Sequence, residues 1–133
     1  MTIKLPDSFS DLLEQKKAFA HLATILADGS PQVTPVWFDV TGGMVRVNTA
    51  LGRVKARTMR VGARVAMSIV DPDNAYRYIQ IRGRVADVTE AGADAHIDAL
   101  ATKYMGKNTY PFRQPGERRV TISIAPEAVQ TMG

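Results

Sequence analysis

The sequence predicts a mainly β fold, a small antiparallel barrel of six strands with short helices that fill its gaps. Apolar and polar residues alternate over residues 44–48, 63–70 and 118–125, which is typical of strands with one buried face. Turns rich in Gly, Pro, Asp and Asn separate most of these segments and favour hairpin connections. Strands joined mostly by hairpins, with few helices between them, indicate an antiparallel barrel.

The first half of the chain is predicted to form one helix and three strands. Residues 6–17 form a short helix, because their apolar side chains fall on one face at spacings of three and four. Residues 18–26 and 31–40 flank the turn sequence ADGS, which predicts two strands joined as a hairpin. Residues 44–48 follow a second turn, so we expect the three strands to form a meander.

The second half is predicted to form two helices and three strands. Residues 53–61 lack Gly and Pro inside and end before a glycine, as a short helix does. Residues 63–70 form the fourth strand, which stops at the turn sequence DPDN, and residues 76–88 form a long fifth strand. Residues 91–104 have helical spacing before another glycine, and residues 118–125 form the last strand.

Two strands are predicted to have one polar face. In the long fifth strand, the side chains expected to face water or a partner are Tyr78, Gln80, Arg82 and Arg84. In the last strand, the side chains expected to be exposed are Arg119, Thr121 and Ser123.

Composition indicates one folded domain, residues 1–133, in the cytoplasm. Hydrophobic residues make up 45% and charged residues 23% of the 133 residues, as in globular domains. Cysteine is absent, which excludes disulfides, thiolate nucleophiles and metal–thiolate sites and fits a reducing compartment. No apolar run has the length of a signal peptide or a membrane span, so we expect neither secretion nor membrane insertion.

The side chains offer few groups for catalysis or metal binding. His21 and His96 have no partner at ligand spacing, so structural or surface roles are expected. Asp71 and Asp73 lie in a turn, and reversal of the chain explains both. The motifs of zinc proteases, serine hydrolases and P-loop enzymes are absent. We predict no catalytic side chain and no metal, and an enzyme built from this chain needs a cofactor for its chemistry.

One stretch of the chain carries an excess of positive charge. Residues 40–70 contain no acidic residue but six basic ones: Arg46, Arg53, Lys55, Arg57, Arg60 and Arg64. Thr49 and three of these cations lie where a strand leads into a helix, and together they would bind a phosphate group. A solvated basic face is the alternative. The anion could equally belong to nucleic acid, a membrane surface or a phosphorylated small molecule.

The only tryptophan of the chain lies in a second candidate binding segment. Trp37 follows Pro35, which has no N–H to donate to a neighbouring strand, so this segment is predicted to be an edge strand or a bulge. A flat aromatic ring could lie against such an edge. Trp37 could equally be a core residue.

Four runs of sequence resemble one family and cover nearly the whole chain in order. They are PQVTPVWFDV, VRVNTALGRVKARTMR, ARVAMSIVDPDNAYRYIQIRGRV and KYMGKNTYPFRQPGERRV. Together they resemble the pyridoxamine phosphate oxidase-like superfamily of flavin and deazaflavin oxidoreductases, and in particular its small branch that uses the deazaflavin coenzyme F420. The chain ends at Gly133, without the extension that holds substrate in true pyridoxamine phosphate oxidases, so we do not expect that activity.

The resemblance implies a split β-barrel of the FMN-binding type that forms a homodimer with its cofactor in a groove at the subunit interface. The residues that match the family's phosphate-binding segment are Thr49, Arg53, Lys55 and Arg57. The residues that match the strand along the cofactor ring are Gln32, Pro35, Val36 and Trp37. Asn48 is expected at the polar ring edge or the ribityl chain. The residues expected at dimer contacts or at the far wall of the substrate pocket are Tyr76, Tyr78, Tyr110 and Phe112.

The activity that the resemblance implies is hydride transfer from reduced coenzyme F420 to a small electron-poor substrate, with no obligatory catalytic side chain. An FMN-dependent enzyme of the same family is the first alternative. A non-enzymatic module that binds anions or nucleic acid is the second, suggested by a pI near 9.6. Against nucleic acid, aromatic residues make up only 7% of the chain, and no strand interleaves basic with aromatic residues.

Overall fold

The computed structural model describes residues 2–133, which form one sheet of seven antiparallel strands with two α-helices. The strands are β1 (Ala20–Ile25), β2 (Pro31–Val36), β3 (Asp39–Thr41), β4 (Met44–Ala50), β5 (Arg64–Asp71), β6 (Asn74–Thr89) and β7 (Arg119–Met132). The helices are α1 (Val54–Thr58) and α2 (Ala93–Met105), and a 3-10 turn (Asp7–Phe9) and a π-helical turn (Asp11–Gln15) precede β1. The fold is mainly β and antiparallel, as the sequence predicts. Within this part of the chain, no helix is long and apolar enough to cross a membrane.

The two edges of the sheet are adjacent in the chain. The strands lie in the order β2-β1-β5-β6-β7-β4-β3, so β2 and β3 are the edge strands. Only Trp37 and Phe38 separate them. Three Cα steps span at most about 11 Å, so the sheet must curl until its edges meet. β2 and β3 are not hydrogen-bonded to each other, and the barrel is therefore split between them.

Two expectations about the first strands are wrong. The predicted strand over residues 31–40 is two strands, β2 and β3, so the sheet has seven strands rather than six. β2 pairs with β1 and β3 pairs with β4, so the predicted meander is two separate hairpins. The physical reason is Phe38, whose side chain is fully buried. Its N–H and carbonyl bond to the side chains of Tyr104 and Lys103 rather than to a strand.

The predicted helices differ from the structure mainly in length and type. The segment over residues 6–17 forms a 3-10 turn and a π-helical turn rather than one α-helix. In so short a segment, burial of side chains decides the geometry more than helix propensity does. The side chains that it places in the core are Phe9, Leu12 and Leu13. α1 is shorter than predicted, and α2 ends at Gly106, which has a φ of 68°.

An ion-pair network ties the N-terminal segment to the barrel. Asp71, at the end of β5, is only 4% exposed, and its carboxylate oxygens lie 2.9 Å from Lys16 Nζ and 2.9 Å from Arg77 Nη1. Arg77 also contacts Asp11 at 2.8 Å. The hydrogen bond from Lys16 is the main reason that the pKa of Asp71 lies below its usual range. Asp71 accepts the turn hydrogen bond from the Asp73 amide as well, but chain reversal is only part of its role.

The long strands β6 and β7 form the centre of the sheet and bend at two register shifts. Along β6, Ile79, Ile81, Gly83 and Val85 are buried while Gln80, Arg82 and Arg84 are exposed, as predicted. At the first shift, the backbone of β7 comes so close that a Cβ on Gly83 would overlap the carbonyl oxygen of Ala125. Glycine is therefore required there by close approach of the backbone.

We predict that Gly83→Ala lowers the free energy of unfolding by about 2 kcal/mol or more, because the backbone of β7 must move to admit the methyl group. Urea unfolding followed by circular dichroism measures this change. Gly42→Ala is the matched control: it has open space but a φ of +60°, and should cost only about 1 kcal/mol. A Gly83→Ala protein as stable as wild type would contradict the close approach.

Candidate functional site

A cleft of about 470 Å³ opens beside the split in the barrel. Its walls come from the residue before β1, β2 and the crossing that follows it, β4, the start of α1, α2, the segment between α2 and β7, and the first residue of β7. The side chains that line it are Phe19, Gln32, Pro35, Val36, Trp37, Asn48, Thr49, Arg53, Val54, Lys55, Ile97, Leu100, Tyr110, Phe112 and Arg119. Ligand pockets in proteins have volumes of roughly 300–1,000 Å³. The cleft is therefore large enough to hold much of a small cofactor.

The cleft brings together nearly all the residues that sequence and resemblance select. Gln32, Pro35, Val36 and Trp37 lie on β2 and at the split, whereas Asn48, Thr49, Arg53 and Lys55 lie on β4 and at the start of α1. These two groups meet because the sheet closes, since β2 and β4 are far apart in the strand order. Arg57 is not part of this cleft wall. Its Nη1 donates to the Gly52 carbonyl at 2.7 Å.

Positive charge is concentrated at one end of the cleft. Burial lowers the pKa of the Lys55 ammonium, and the charge of nearby Arg53 lowers it further. Among the residues that the structure describes, no carboxylate forms an ion pair with Lys55 or Arg53. Burial alone would raise the pKa of Glu117, but the Gln114 amide and the charges of Arg119 and Arg53 outweigh it and lower the pKa. Glu117 pairs with Arg119, so an anionic ligand would relieve the repulsion that remains between Arg53 and Lys55.

Aromatic side chains form one wall of the cleft. The Trp37 ring stacks on Tyr104, with ring centroids 5.2 Å apart and planes 3° apart. Phe19 stacks on Tyr104 as well, at 5.5 Å. Tyr110 meets Trp37 edge-on at 6.1 Å and contacts Phe112 in the same way at 5.7 Å. Trp37 is therefore part of the cleft wall rather than the core, supported by Tyr104, which does not line the cleft itself.

Tyr104 fixes the backbone at the split as well as the Trp37 ring. Its hydroxyl donates to the Ala18 carbonyl at 2.6 Å and accepts from the Phe38 N–H at 3.3 Å. Burial raises the pKa of the Tyr104 phenol to about 12, so the hydroxyl stays protonated and able to donate at neutral pH. One side chain of α2 thus fixes the backbone just before β1 and the crossing between β2 and β3.

The floor of the cleft contains a buried arginine that sequence reasoning missed. Arg119, Thr121 and Ser123 were expected on an exposed face of β7, but they are 4%, 5% and 8% exposed. The expectation is wrong because α2 covers this face, and His96 Nδ1 lies 3.0 Å from the Thr121 hydroxyl. The alternation along β7 predicts two different faces correctly, but it gives no sign that a helix covers the polar one. The pattern of apolar residues on α2 is the only signal of that packing.

Asn48 is held by partners from two elements, β7 and α2. Arg119 Nε donates to the Asn48 Oδ1 at 2.6 Å, while the Asn48 Nδ2 donates to the Ala93 carbonyl at 2.9 Å and lies 3.1 Å from His96 Nδ1.

Of the four aromatic residues expected at the substrate pocket or at dimer contacts, Tyr110 and Phe112 line the cleft, whereas Tyr76 and Tyr78 lie outside it. Tyr76 is 82% exposed on β6.

Asp39 contacts His96 on the side of its ring away from Asn48. Its carboxylate accepts two hydrogen bonds from Arg46, each 2.9 Å long, and its Oδ2 lies 3.2 Å from His96 Nε2. Burial alone would raise the pKa of Asp39, but the contacts with His96 and Arg46 outweigh it and lower the pKa from 3.8 to about 2. Arg46 therefore has an internal carboxylate partner and is not part of the cationic end of the cleft.

Comparison with known proteins gives one family and several similar structures. The family model described as pyridoxamine 5'-phosphate oxidase matches residues 5–133. A solved structure named F420 reductase is 34% identical, covers 95% of this chain and 98% of its own, and has a TM-score of 0.80. Two structures share the fold at lower identity. A conserved hypothetical protein from Mycobacterium tuberculosis is 20% identical, covers 98% of this chain and 86% of its own, and has a TM-score of 0.73. The FAD and heme binding protein from Mycobacterium smegmatis is 17% identical, covers 98% of this chain and 72% of its own, and has a TM-score of 0.69. The chain matches no protein of curated function.

We predict that Asp39→Asn makes stability less dependent on pH in the acid range. A carboxyl group whose pKa is lower in the folded state stabilises the fold above its unfolded pKa, and this stabilisation is lost as pH falls through the folded value. The variant should be about 1–2 kcal/mol less stable than wild type at pH 7, allowing for screening by solvent. The difference should shrink as pH falls from about 4 towards 2.

Urea unfolding at a series of pH values measures this difference. Asp7→Asn is the control, because the Asp7 side chain is 86% exposed and pairs only with an exposed lysine. A difference between Asp39→Asn and wild type that stays constant from pH 7 to pH 3 would contradict the role assigned to the carboxylate.

Proposed function

This chain belongs to the pyridoxamine 5'-phosphate oxidase family, and we propose that it is an oxidoreductase that uses the deazaflavin coenzyme F420 to reduce a small electron-poor substrate. The observation that carries the proposal is the composition of the cleft. Arg53 and Lys55, which form no ion pair with a carboxylate within residues 2–133, lie at one end, and a flat aromatic wall lies along its side. This combination fits a cofactor with a phosphate group and a ring system.

The residues present fit such a cofactor. Arg53, Lys55 and the Thr49 hydroxyl would bind the phosphate through charge-assisted hydrogen bonds. Pro35, which has no N–H, and Val36 offer an apolar strip of β2 for the ring. Burial lowers the pKa of Lys55, and an anion bound beside this partly desolvated ammonium would stabilise its charge. Arg57 stays a predicted phosphate ligand; it does not line the cleft, and its Nη1 donates to the Gly52 carbonyl.

The protein's contribution to the reaction is binding, orientation and exclusion of water. The cofactor supplies the hydride chemistry when bound. Arg53 and Lys55 would hold its phosphate, and Trp37, supported by Tyr104, would form the wall against which its ring lies. Tyr110 and Phe112 would form an apolar rim that limits access of water. No side chain in the cleft needs to donate or accept a proton for hydride transfer itself, and positioning provides the rate enhancement.

The similarity to a structure named F420 reductase favours the deazaflavin coenzyme over FMN, because that match spans nearly both chains. An FMN-dependent enzyme would use the same phosphate end and remains the second candidate. A nucleic-acid-binding module fits less well, because Arg53 and Lys55 lie in a cleft with apolar and aromatic walls whose volume suits a small molecule.

We also propose that the protein is a homodimer in which a second chain covers the cleft. Three apolar side chains of the cleft are exposed to solvent: Phe19 at 46%, Val54 at 38% and Phe112 at 58%. Such a group of exposed apolar residues marks a surface that binds a partner. The polar outer face of β6 is a further exposed surface available to a second chain.

We predict that Lys55→Ala weakens binding of coenzyme F420 about ten- to a hundredfold, equal to roughly 1.5–3 kcal/mol for one charge-assisted hydrogen bond. Arg57→Ala should have a smaller effect, because Arg57 does not line the cleft. Lys17→Ala is the matched control, since Lys17 is exposed and does not line the cleft. Isothermal titration calorimetry measures the three affinities. Equal affinity in wild type and Lys55→Ala would remove the phosphate assignment.

We predict a dimer in dilute solution, because two-fold closure is the common way to cover one exposed face. Light scattering should give about 29 kDa, twice the 14.5 kDa of one chain. A protein that is monomeric at micromolar concentration and still binds coenzyme F420 tightly would contradict the dimer proposal.

We predict that the protein binds coenzyme F420 more tightly than FMN, and that the margin falls as salt concentration rises. Coenzyme F420 carries an acidic tail beyond its phosphate, and Arg60 and Arg64 are exposed after α1 where they can attract it. Such exposed contacts contribute about 0–1 kcal/mol each and are screened by salt. Calorimetric titrations at two salt concentrations measure the margin. Protein that purifies with bound FMN and has no affinity for coenzyme F420 would replace this proposal with the FMN alternative.

A further inference from the structure

A chain of buried polar side chains runs beneath the cleft and ends at its floor. Its members, in order of contact, are Asp39, His96, Asn48, Arg119 and Glu117. The side chains of His96, Arg119 and Glu117 are 2%, 3% and 7% exposed. Buried polar groups need partners that match their donors and acceptors, so the direction of every hydrogen bond along this chain can be assigned.

The direction at Asn48 follows from Arg119, which can only donate. Because Arg119 Nε lies 2.6 Å from one amide atom, that atom is the oxygen, Oδ1. The other atom is the NH2 group, which donates to the Ala93 carbonyl and points at His96 Nδ1, 3.1 Å away. Nδ1 must therefore be an acceptor without a proton. The proton of neutral His96 lies on Nε2, which faces Asp39 Oδ2 at 3.2 Å but is not aligned for a good hydrogen bond.

The guanidinium of Arg119 has more donors than the protein satisfies. Nε donates to Asn48 and Nη1 to Glu117, and the guanidinium carbon lies 5.0 Å from the centre of the Tyr110 ring. Within residues 2–133, Nη2 donates to no acceptor of the protein, and Arg119 lines the cleft. Glu117 neutralises much of its charge, so what Arg119 offers the cleft is a directed N–H donor.

We propose that Arg119 is a ligand-binding residue of the cleft, which donates from Nη2 to an oxygen acceptor of the bound cofactor, and that His96 is a positioning residue that orients Arg119 through Asn48. The inference rests on the proposed function for the identity of the ligand. Carbonyl oxygens of the ring and oxygens of the phosphate are both acceptors of the required kind. Without the acceptor at His96 Nδ1, the Asn48 NH2 group loses one of its two partners. The Asn48 amide then no longer fixes the orientation of the Arg119 guanidinium.

Calorimetry with coenzyme F420 and with its phosphate-free deazaflavin fragment tests the role of Arg119. Arg119→Gln should bind both about tenfold more weakly than wild type if the acceptor is on the ring, or coenzyme F420 alone if it is on the phosphate. Arg119→Lys keeps the positive charge but lacks the planar guanidinium, and its affinity should lie between those of wild type and Arg119→Gln. Arg118→Gln is the matched control. Arg118 is the neighbour of Arg119 in the chain, and its own side chain is 68% exposed and pairs with Glu90 outside the cleft. It should bind within twofold of wild type.

Two measurements test the role of His96. His96→Leu should weaken binding about as much as Arg119→Gln, whereas His96→Asn, which places an amide oxygen near the position of Nδ1, should restore most of the affinity. The 15N spectrum of the wild-type imidazole should show a bare Nδ1 and a protonated Nε2, and this readout needs no variant to fold.

The inference is overturned if both Arg119 variants bind within twofold of wild type. The positioning role is overturned if His96→Leu binds as wild type does, or if the proton is found on Nδ1 in the neutral form. Wild-type protein that binds neither probe would overturn the proposed function itself.

Discussion

The crossing from one edge of the sheet to the other through Trp37 and Phe38 is the constraint on which the rest of the structure depends. It forces the sheet to close, because two residues cannot span a flat sheet of seven strands. Phe38 holds the crossing from inside as a fully buried side chain, and α2 holds it from outside through Tyr104 and Lys103. The ammonium of Lys103 also lies 4.4 Å from the centre of the Phe38 ring. Closure then brings β2 next to β4 and forms the cleft between them.

The same helix determines the chemistry of the cleft. α2 supports the Trp37 wall with Tyr104, covers the polar face of β7, and supplies His96 to the buried polar chain beneath the floor. Because this face is covered, a guanidinium that a bare strand would present to water becomes a directed donor in the cleft. The cations at the start of α1 remain without carboxylate partners among the described residues. A ligand with an oxyanion and several carbonyl oxygens complements both features.

How far the sequence predicts this protein depends on whether a pattern is local. Alternation along β5 and β6 depends on burial against one core, and it predicts their buried faces correctly. Alternation along β7 predicts the wrong exposure for Arg119. The face of β7 that carries Arg119 is polar in sequence, but α2, from an earlier part of the chain, packs over it. The edge strand predicted from Pro35 is confirmed, since β2 lies at an edge of the sheet. The break after it is not predicted, because Tyr104 and Lys103, which bond Phe38, follow more than sixty positions later. The resemblance selects most of the residues that line the cleft. Closure of the sheet explains why they meet in one place.

Titration of the cofactor-free protein with coenzyme F420, followed by the intrinsic fluorescence of Trp37, tests directly whether the cleft binds a cofactor. Trp37 is the only tryptophan of the chain and lines the cleft, so its emission reports on this site alone. We expect saturable quenching that reaches its end point at one coenzyme per chain. Folded protein whose emission does not change with coenzyme F420 or with FMN would contradict the assignment of the cleft as a cofactor site.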